Sequence, residues 1–148
     1  MRELAFQTEI IKSVKAAGGY GHKVSDRFKV GVPDLIIAAP KRGLILFECK
    51  SMAGIMPDKF DRHTGITAIQ QEHLKRMNDC QILPVGAQLV YMEHKGEQRA
   101  VVWPAHLVNI TSDYEKDERI WVERKRMRPN WDINKLVAAI RLMKSIQF

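Results

Sequence analysis

Three residues carry types and a spacing that can do chemistry. Asp34 follows Gly31-Val32-Pro33, and Glu48-Cys49-Lys50 comes after thirteen intervening residues. Asp34–Ala39 and Leu44–Lys50 are short apolar runs separated by the turn residues Pro40-Lys41-Arg42-Gly43, so they read as an antiparallel hairpin. In such a hairpin the start of the first strand lies beside the end of the second. Strand alternation puts Glu48 and Lys50 on one face and Cys49 on the other. Asp34, Glu48 and Lys50 can then share a small volume. Two carboxylates held together repel unless a cation separates them. Oxygen donors select a hard ion, Mg²⁺ with Mn²⁺ as a substitute, over zinc. Such an ion beside an ammonium group suits hydrolysis of a phosphodiester.

Helices must supply the remaining groups. Glu3–Ala17 has helical periodicity and ends at Gly18-Gly19, a C-terminal stop signal. Glu3 and Gln7 fall within the stripe of Ile10, Ile11 and Val14, while Glu9 falls opposite it. Thr67-Ala68-Ile69-Gln70 matches a capping box, so Gln70 has a structural role whatever else it does. Gln70, Leu74 and Met77 share one face. A first strand or extended arm is expected over 22–30, further strands over 87–92, 98–103 and 120–122, and a last helix capped by Asp132 with Trp131 stapled onto Leu136. Residues 51–65 read as irregular. Helix, strands, helix, strands, helix implies an α/β or α+β sandwich with a sheet between flanking helices.

The motif also resembles a known family. Pro33-Asp34 followed by Glu48-Cys49-Lys50 resembles the PD-(D/E)XK nuclease signature. Glu3 with Phe6-Gln7, Gly31-Val32-Pro33-Asp34-Leu35-Ile36 and Thr67-Ala68-Ile69-Gln70 are similar to the VRR-NUC branch. The resemblance covers about residues 3–92, and 104–148 form a C-terminal extension. It implies a restriction-endonuclease-like αβββαβ core with a central mixed sheet, and Mg²⁺- or Mn²⁺-dependent cleavage of DNA leaving 5′-phosphate ends. It assigns the metal to Asp34, Glu48 and the backbone carbonyl of Cys49, Lys50 to the nucleophile, and the remaining catalytic positions to Glu3 and Gln70. Stand-alone members of this branch are similar to junction resolvases, homodimers that act on branched (Holliday-junction) DNA and are common in phage genomes.

Composition sets the outer bounds. The 148 residues fit one domain. No run of 18 apolar residues and no signal-like N-terminus occurs, so a cytoplasmic protein without a membrane anchor is expected, in a bacterium or a phage-infected cell. Cys49 and Cys80 do not suggest a disulfide framework. The net charge of +7 is uneven. Residues 1–118 carry 16 basic and 15 acidic side chains, whereas residues 119–148 carry eight and two. Lys23, Arg27 and Lys29 ahead of the motif are candidate phosphate contacts. So are Arg124, Arg126 and Arg128 on one side of an extended segment flanked by Trp121 and Trp131. A charge-protected edge strand is the competing reading of that segment. Asp58, Asp61 and His63 could bind a metal but read as a solvated loop. The rival to a nuclease is a nuclease-like module that binds nucleic acid without cutting it; a scaffolding protein is the third.

Overall fold

A computed structural model describes residues 1–24, 31–53, 67–81, 85–94, 96–103 and 118–142. The described residues form a six-stranded mixed sheet and three α-helices, in an order that runs helix, three strands, helix, three strands, helix. These are α1 (Glu3–Ala16), β1 (Tyr20–Lys23), β2 (Leu35–Ala39), β3 (Gly43–Ala53), α2 (Ala68–Asp79), β4 (Gly86–His94), β5 (Glu97–Trp103), β6 (Trp121–Glu123) and α3 (Ile133–Leu142). A short 3₁₀ turn, Glu118–Ile120, leads into β6. The strands lie side by side in chain order. All neighbours are antiparallel except β3 and β4. A parallel pair needs a crossover, and α2 lies within that connection. Among the described residues, no helix is long and apolar enough to cross a membrane.

α1 forms because Phe6, Ile10 and Val14 recur on one face and are fully buried. It ends where Gly18, at φ +82°, sends its N–H back to the Lys15 carbonyl. The next residue, Gly19, lies so near β2 that an added Cβ would stand 2.5 Å from the Ala38 carbonyl oxygen. β1 therefore starts at Tyr20, two residues earlier than expected, and ends at Lys23; the rest of the expected arm, residues 25–30, lies outside the described residues.

β3 continues to Ala53, three residues past the expected end at Lys50. Parallel pairing with β4 extends it, from Leu46 opposite Gly86 to Ala53 opposite Glu93. β6 starts at Trp121 because the residue before it closes the 3₁₀ turn. Asp132 does cap α3: its side chain accepts from the Lys135 N–H at 3.2 Å.

α1 and α3 cover one sheet face. Phe6, Ile10 and Val14 meet Leu35, Ile37, Ile45, Phe47, Leu89 and Tyr91 there, with Leu136, Val137 and Ile140 completing the cluster. Trp131 joins the same cluster, its ring 5.4 Å from Phe6 and 6.4 Å from Tyr91. The opposite face carries Met52, Val90, Met92, Val101 and Trp103. On that side α2 packs with Leu74 against β4 near Gly86.

Phe6 is fully buried and its ring lies 5.5 Å from Tyr91 and 5.4 Å from Trp131. Phe6→Ala is expected to cost about 3–5 kcal/mol. Urea unfolding should show the midpoint falling by about 1–3 M; an unchanged midpoint would contradict this packing.

Candidate functional site

The site forms where β2 stops and β3 continues. Their register pairs Leu35 with Phe47, so Asp34 and Glu48 come next, across the end of the ladder. Beyond Phe47, β3 has β4 along one edge only. The Leu46 N–H points to the β4 side, where it meets the Val85 carbonyl. Alternation then turns both backbone groups of Cys49 toward the edge that β2 has vacated. Its N–H must find a partner there. That partner is the Asp34 side chain, whose Oδ2 accepts at 2.8 Å. The Cys49 carbonyl faces the same edge.

Glu48 is 2% exposed. Its Oε1 accepts from Gln70 Nε2 at 2.7 Å and lies 3.6 Å from Lys50 Nζ. Its Oε2 is buried and has no hydrogen-bond partner among the described residues. Gln70 reaches it from the opening of α2, where Thr67 and Gln70 also form the complete capping box. Capping and contact with Glu48 thus coexist in one side chain, its carbonyl on the Thr67 N–H and its amide on the carboxylate.

Electrostatics follow from crowding. Burial pushes the Glu48 carboxyl up to about 8, with the Asp34 charge adding to the rise and Lys50 opposing it. Burial also raises Asp34, against the lowering effect of the Cys49 N–H and of Lys50. The two carboxyl groups are close enough to act on each other electrostatically. Glu3 is raised by burial and feels both Lys50 and Asp34. It is a neighbour of the pair and makes no third member: no group of three or more His, Cys, Asp or Glu donors surrounds a common point among the described residues. The start of α1 is held by Ser51, whose hydroxyl donates to the Met1 carbonyl at 2.6 Å. The Cys49 thiol is pushed well up by burial, which removes it as a nucleophile.

The donor set fits a hard divalent cation. Cys49 holds Asp34 through Oδ2 and Gln70 holds Glu48 through Oε1, which leaves Asp34 Oδ1, the buried Glu48 Oε2 and the Cys49 carbonyl as the remaining oxygen donors. Magnesium prefers such a set of one or two carboxylates.

The candidate phosphate contacts are distributed differently from expectation. Lys23 Nζ donates to Thr8 Oγ1 at 2.7 Å. Arg124 is committed within the fold: Nε and Nη2 reach the Glu9 carboxylate at 2.7 and 3.0 Å, and Nη1 reaches Gln98 at 3.0 Å. Glu9, expected on the solvent side of α1, is accordingly half-buried. The expected extended arm is instead a closed loop, because the Lys125 N–H meets the Asn130 carbonyl at 2.7 Å and Asn130 Nδ2 meets the Lys125 carbonyl at 2.8 Å. Arg126 and Arg128 are exposed on it. Trp131 is core, and Trp121 is half-buried with the Arg99 guanidinium over its ring. Arg27, Lys29, Asp58, Asp61 and His63 lie outside the described residues.

Sequence reasoning missed Gln88. It is fully buried and stands opposite Glu48 on β4. The available signal was a lone amide within the run Ala87-Gln88-Leu89-Val90. Gly31, part of the motif quoted above, has a φ of +89° and lies against α2, which sets the entry to Asp34. A Cβ there would stand 2.4 Å from Ile69 Cγ2 and 2.9 Å from His73 Cδ2.

No protein-family model matches the chain, and no curated protein matches it.

Gly31→Ala therefore forces a left-handed backbone on a residue with a side chain, at about 1–2 kcal/mol, and drives α2 away. A lower melting temperature is expected; an unchanged one would mean that the loop and helix adjust freely. The carboxyl pair adds a pH dependence. Glu48 titrates near its ordinary 4.5 when unfolded and at about 8 in the fold. Its stabilising protonated state is fully present below about 4.5 and is lost as pH rises through about 8. Without divalent ions, the melting temperature should fall across that window, and fall less in Glu48→Gln. Identical slopes for the two proteins would contradict the burial of this carboxyl.

Proposed function

We propose that the protein is a divalent-metal-dependent endonuclease that hydrolyses DNA phosphodiesters, selecting branched DNA by shape. The observation that carries this reading is the pair of carboxyls, half-buried Asp34 and buried Glu48, held at a vacated sheet edge beside Lys50, with Glu48 Oε2 lacking a hydrogen-bond partner among the described residues. Among the described residues Lys50 is the cation beside them, one ammonium for two carboxyls, and without a metal ion Glu48 keeps its proton up to about 8. The resemblance of Pro33-Asp34 and Glu48-Cys49-Lys50 to the PD-(D/E)XK signature, and of the wider sequence to the VRR-NUC branch, supports the same chemistry.

Asp34, Glu48 and the Cys49 carbonyl would hold Mg²⁺, with Mn²⁺ able to replace it. A divalent cation there supplies Lewis acidity, acidifying water and offsetting phosphate charge. The chain's own contributions are positional. Gln70 fixes the rotamer of Glu48 through Oε1, and the Cys49 N–H fixes Asp34 through Oδ2. Lys50 keeps an ammonium group beside the carboxylates, where it can orient the attacking water and stabilise charge growing on the phosphate oxygens. Glu3 adds negative potential from the N-terminal turn of α1.

Phosphate contacts would supply affinity without reading sequence. Arg126 and Arg128 are the exposed cations best suited to this, since Arg124 is paired with Glu9. A homodimer would bring two sites to two strands.

Incubation of a four-way junction and a linear duplex with Mg²⁺ tests the reading. The wild type should cut the junction preferentially, EDTA should abolish cutting, and Asp34→Ala should remove it. Lys50→Ala should slow it on the order of 10²–10³-fold. Cutting undiminished in Asp34→Ala would overturn the site. Metal-independent binding without cutting under Mg²⁺ or Mn²⁺ would favour a non-cleaving nucleic-acid-binding module.

A further inference from the structure

The basic loop carries a feature that phosphate binding leaves unexplained. Met127 sits between Arg126 and Arg128 and is 83% exposed, more than any other exposed large apolar side chain among the described residues. Lys125, Arg126 and Arg128 are exposed around it, and no acidic residue occurs between Glu123 and Asp132. An apolar tip within a cationic ring gains nothing from water.

The loop is also braced at both stems. Its ends are joined through the Lys125–Asn130 hydrogen bonds, and Asn130 is itself buried. On the entering stem Arg124 grips Glu9 of α1. On the leaving stem the Trp131 N–H donates to Ser13 Oγ of the same helix at 3.1 Å, and the indole is buried in the core. Both stems are thereby fastened to α1. A loop tied in this way loses little freedom on binding, which is the condition for effective use of a small contact.

We propose that Met127 is a wedge that enters a nucleic-acid base step while Arg126 and Arg128 hold the phosphates on either side. This rests on the DNA-directed reading above and adds the mode of engagement. An unbranched thioether meets aromatic faces favourably. Partial unstacking by an apolar side chain bends a duplex toward more protein contact. Opened steps at a branch point offer the least resistance to such entry. A bilayer is the other surface that combines anionic charge with apolar depth, but one methionine offers little area for anchoring.

The experiment uses the full chain with four-way junctions and linear duplexes carrying 2-aminopurine at successive steps, in EDTA so that cutting does not intervene. Wild-type protein should raise the fluorescence at a defined step. Met127→Ala should abolish that rise and weaken binding about 3–10-fold, with the salt dependence unchanged. Met127→Leu should keep the rise. Arg126→Ala and Arg128→Ala should each lower the slope of log affinity against log salt by about 0.9. The proposal falls if wild type binds with no rise at any step, or if Met127→Ala binds with the same affinity and fluorescence. It also falls if Met127-dependent binding occurs on phosphatidylserine vesicles and not on DNA. Failure of the wedge with Mg²⁺-dependent cutting intact leaves the endonuclease reading standing. A Met127-dependent rise without cutting under Mg²⁺ or Mn²⁺ sinks the hydrolytic reading and leaves the wedge.

Discussion

A buried backbone N–H that has lost its strand partner organises this structure. β3 runs past the end of β2, and the Cys49 N–H faces the gap. Leaving it unpaired would cost the full desolvation of a donor, so the Asp34 carboxylate occupies the position that β2 would otherwise fill. That places one carboxylate against the sheet edge opposite a second, Glu48, whose own direction follows from strand alternation. The repelling pair is a consequence of satisfying the backbone. It is held by the core beneath: Leu35, just after Asp34, and Phe47, just before Glu48, are fully buried. Asp34 cannot swing away without exposing Cys49, and Glu48 cannot swing away without releasing Gln70. The protein thus maintains an electrostatic arrangement that burial disfavours, visible in the raised Asp34 and Glu48.

α1 connects that edge to the opposite end of the sheet. The residue ahead of its N-cap, Met1, is tied to β3 by Ser51, its middle to the basic loop by Glu9, and its last turn to the same loop by Ser13. One face of the helix packs on the sheet, and its polar residues serve as fasteners. A rigid element spanning both regions means that the carboxyl pair and the basic loop keep a constant separation, as positioning on a scaffold requires.

The hairpin and its acids were legible because every signal was local. Turn residues at 40–43, apolar runs on either side and a fixed alternation dictate the register that sets Asp34 opposite Glu48. The capping box at Thr67 and the cap at Asp132 were legible for the same reason, since each lies within four residues of its partner. Arg124 shows where such reading stops. Its neighbours Arg126 and Arg128 made it look like part of a phosphate-binding row, but Glu9 lies 115 positions away and claims it. Nothing in the local pattern distinguishes a paired arginine from a free one. Glu9 suffered the complementary misreading: periodicity puts it on the polar side of α1 and cannot show that another element covers that side.

The amino-acid sequence by itself determined the alternation of helices and strands, the hairpin that brings Asp34 and Glu48 face to face, and the charge excess of the last thirty residues. These depend on steric periodicity and on which side chains tolerate a turn, properties of a few consecutive residues. The tertiary structure decided that Cys49 would take Asp34 as its partner, that β4 would prolong β3 and bring Gln88 beside Glu48, and that Arg124 would be withdrawn from the surface while Met127 was left on it. Those outcomes depend on which distant segments compete for one donor, one strand edge or one carboxylate. That competition is resolved only when the chain is packed and water is excluded.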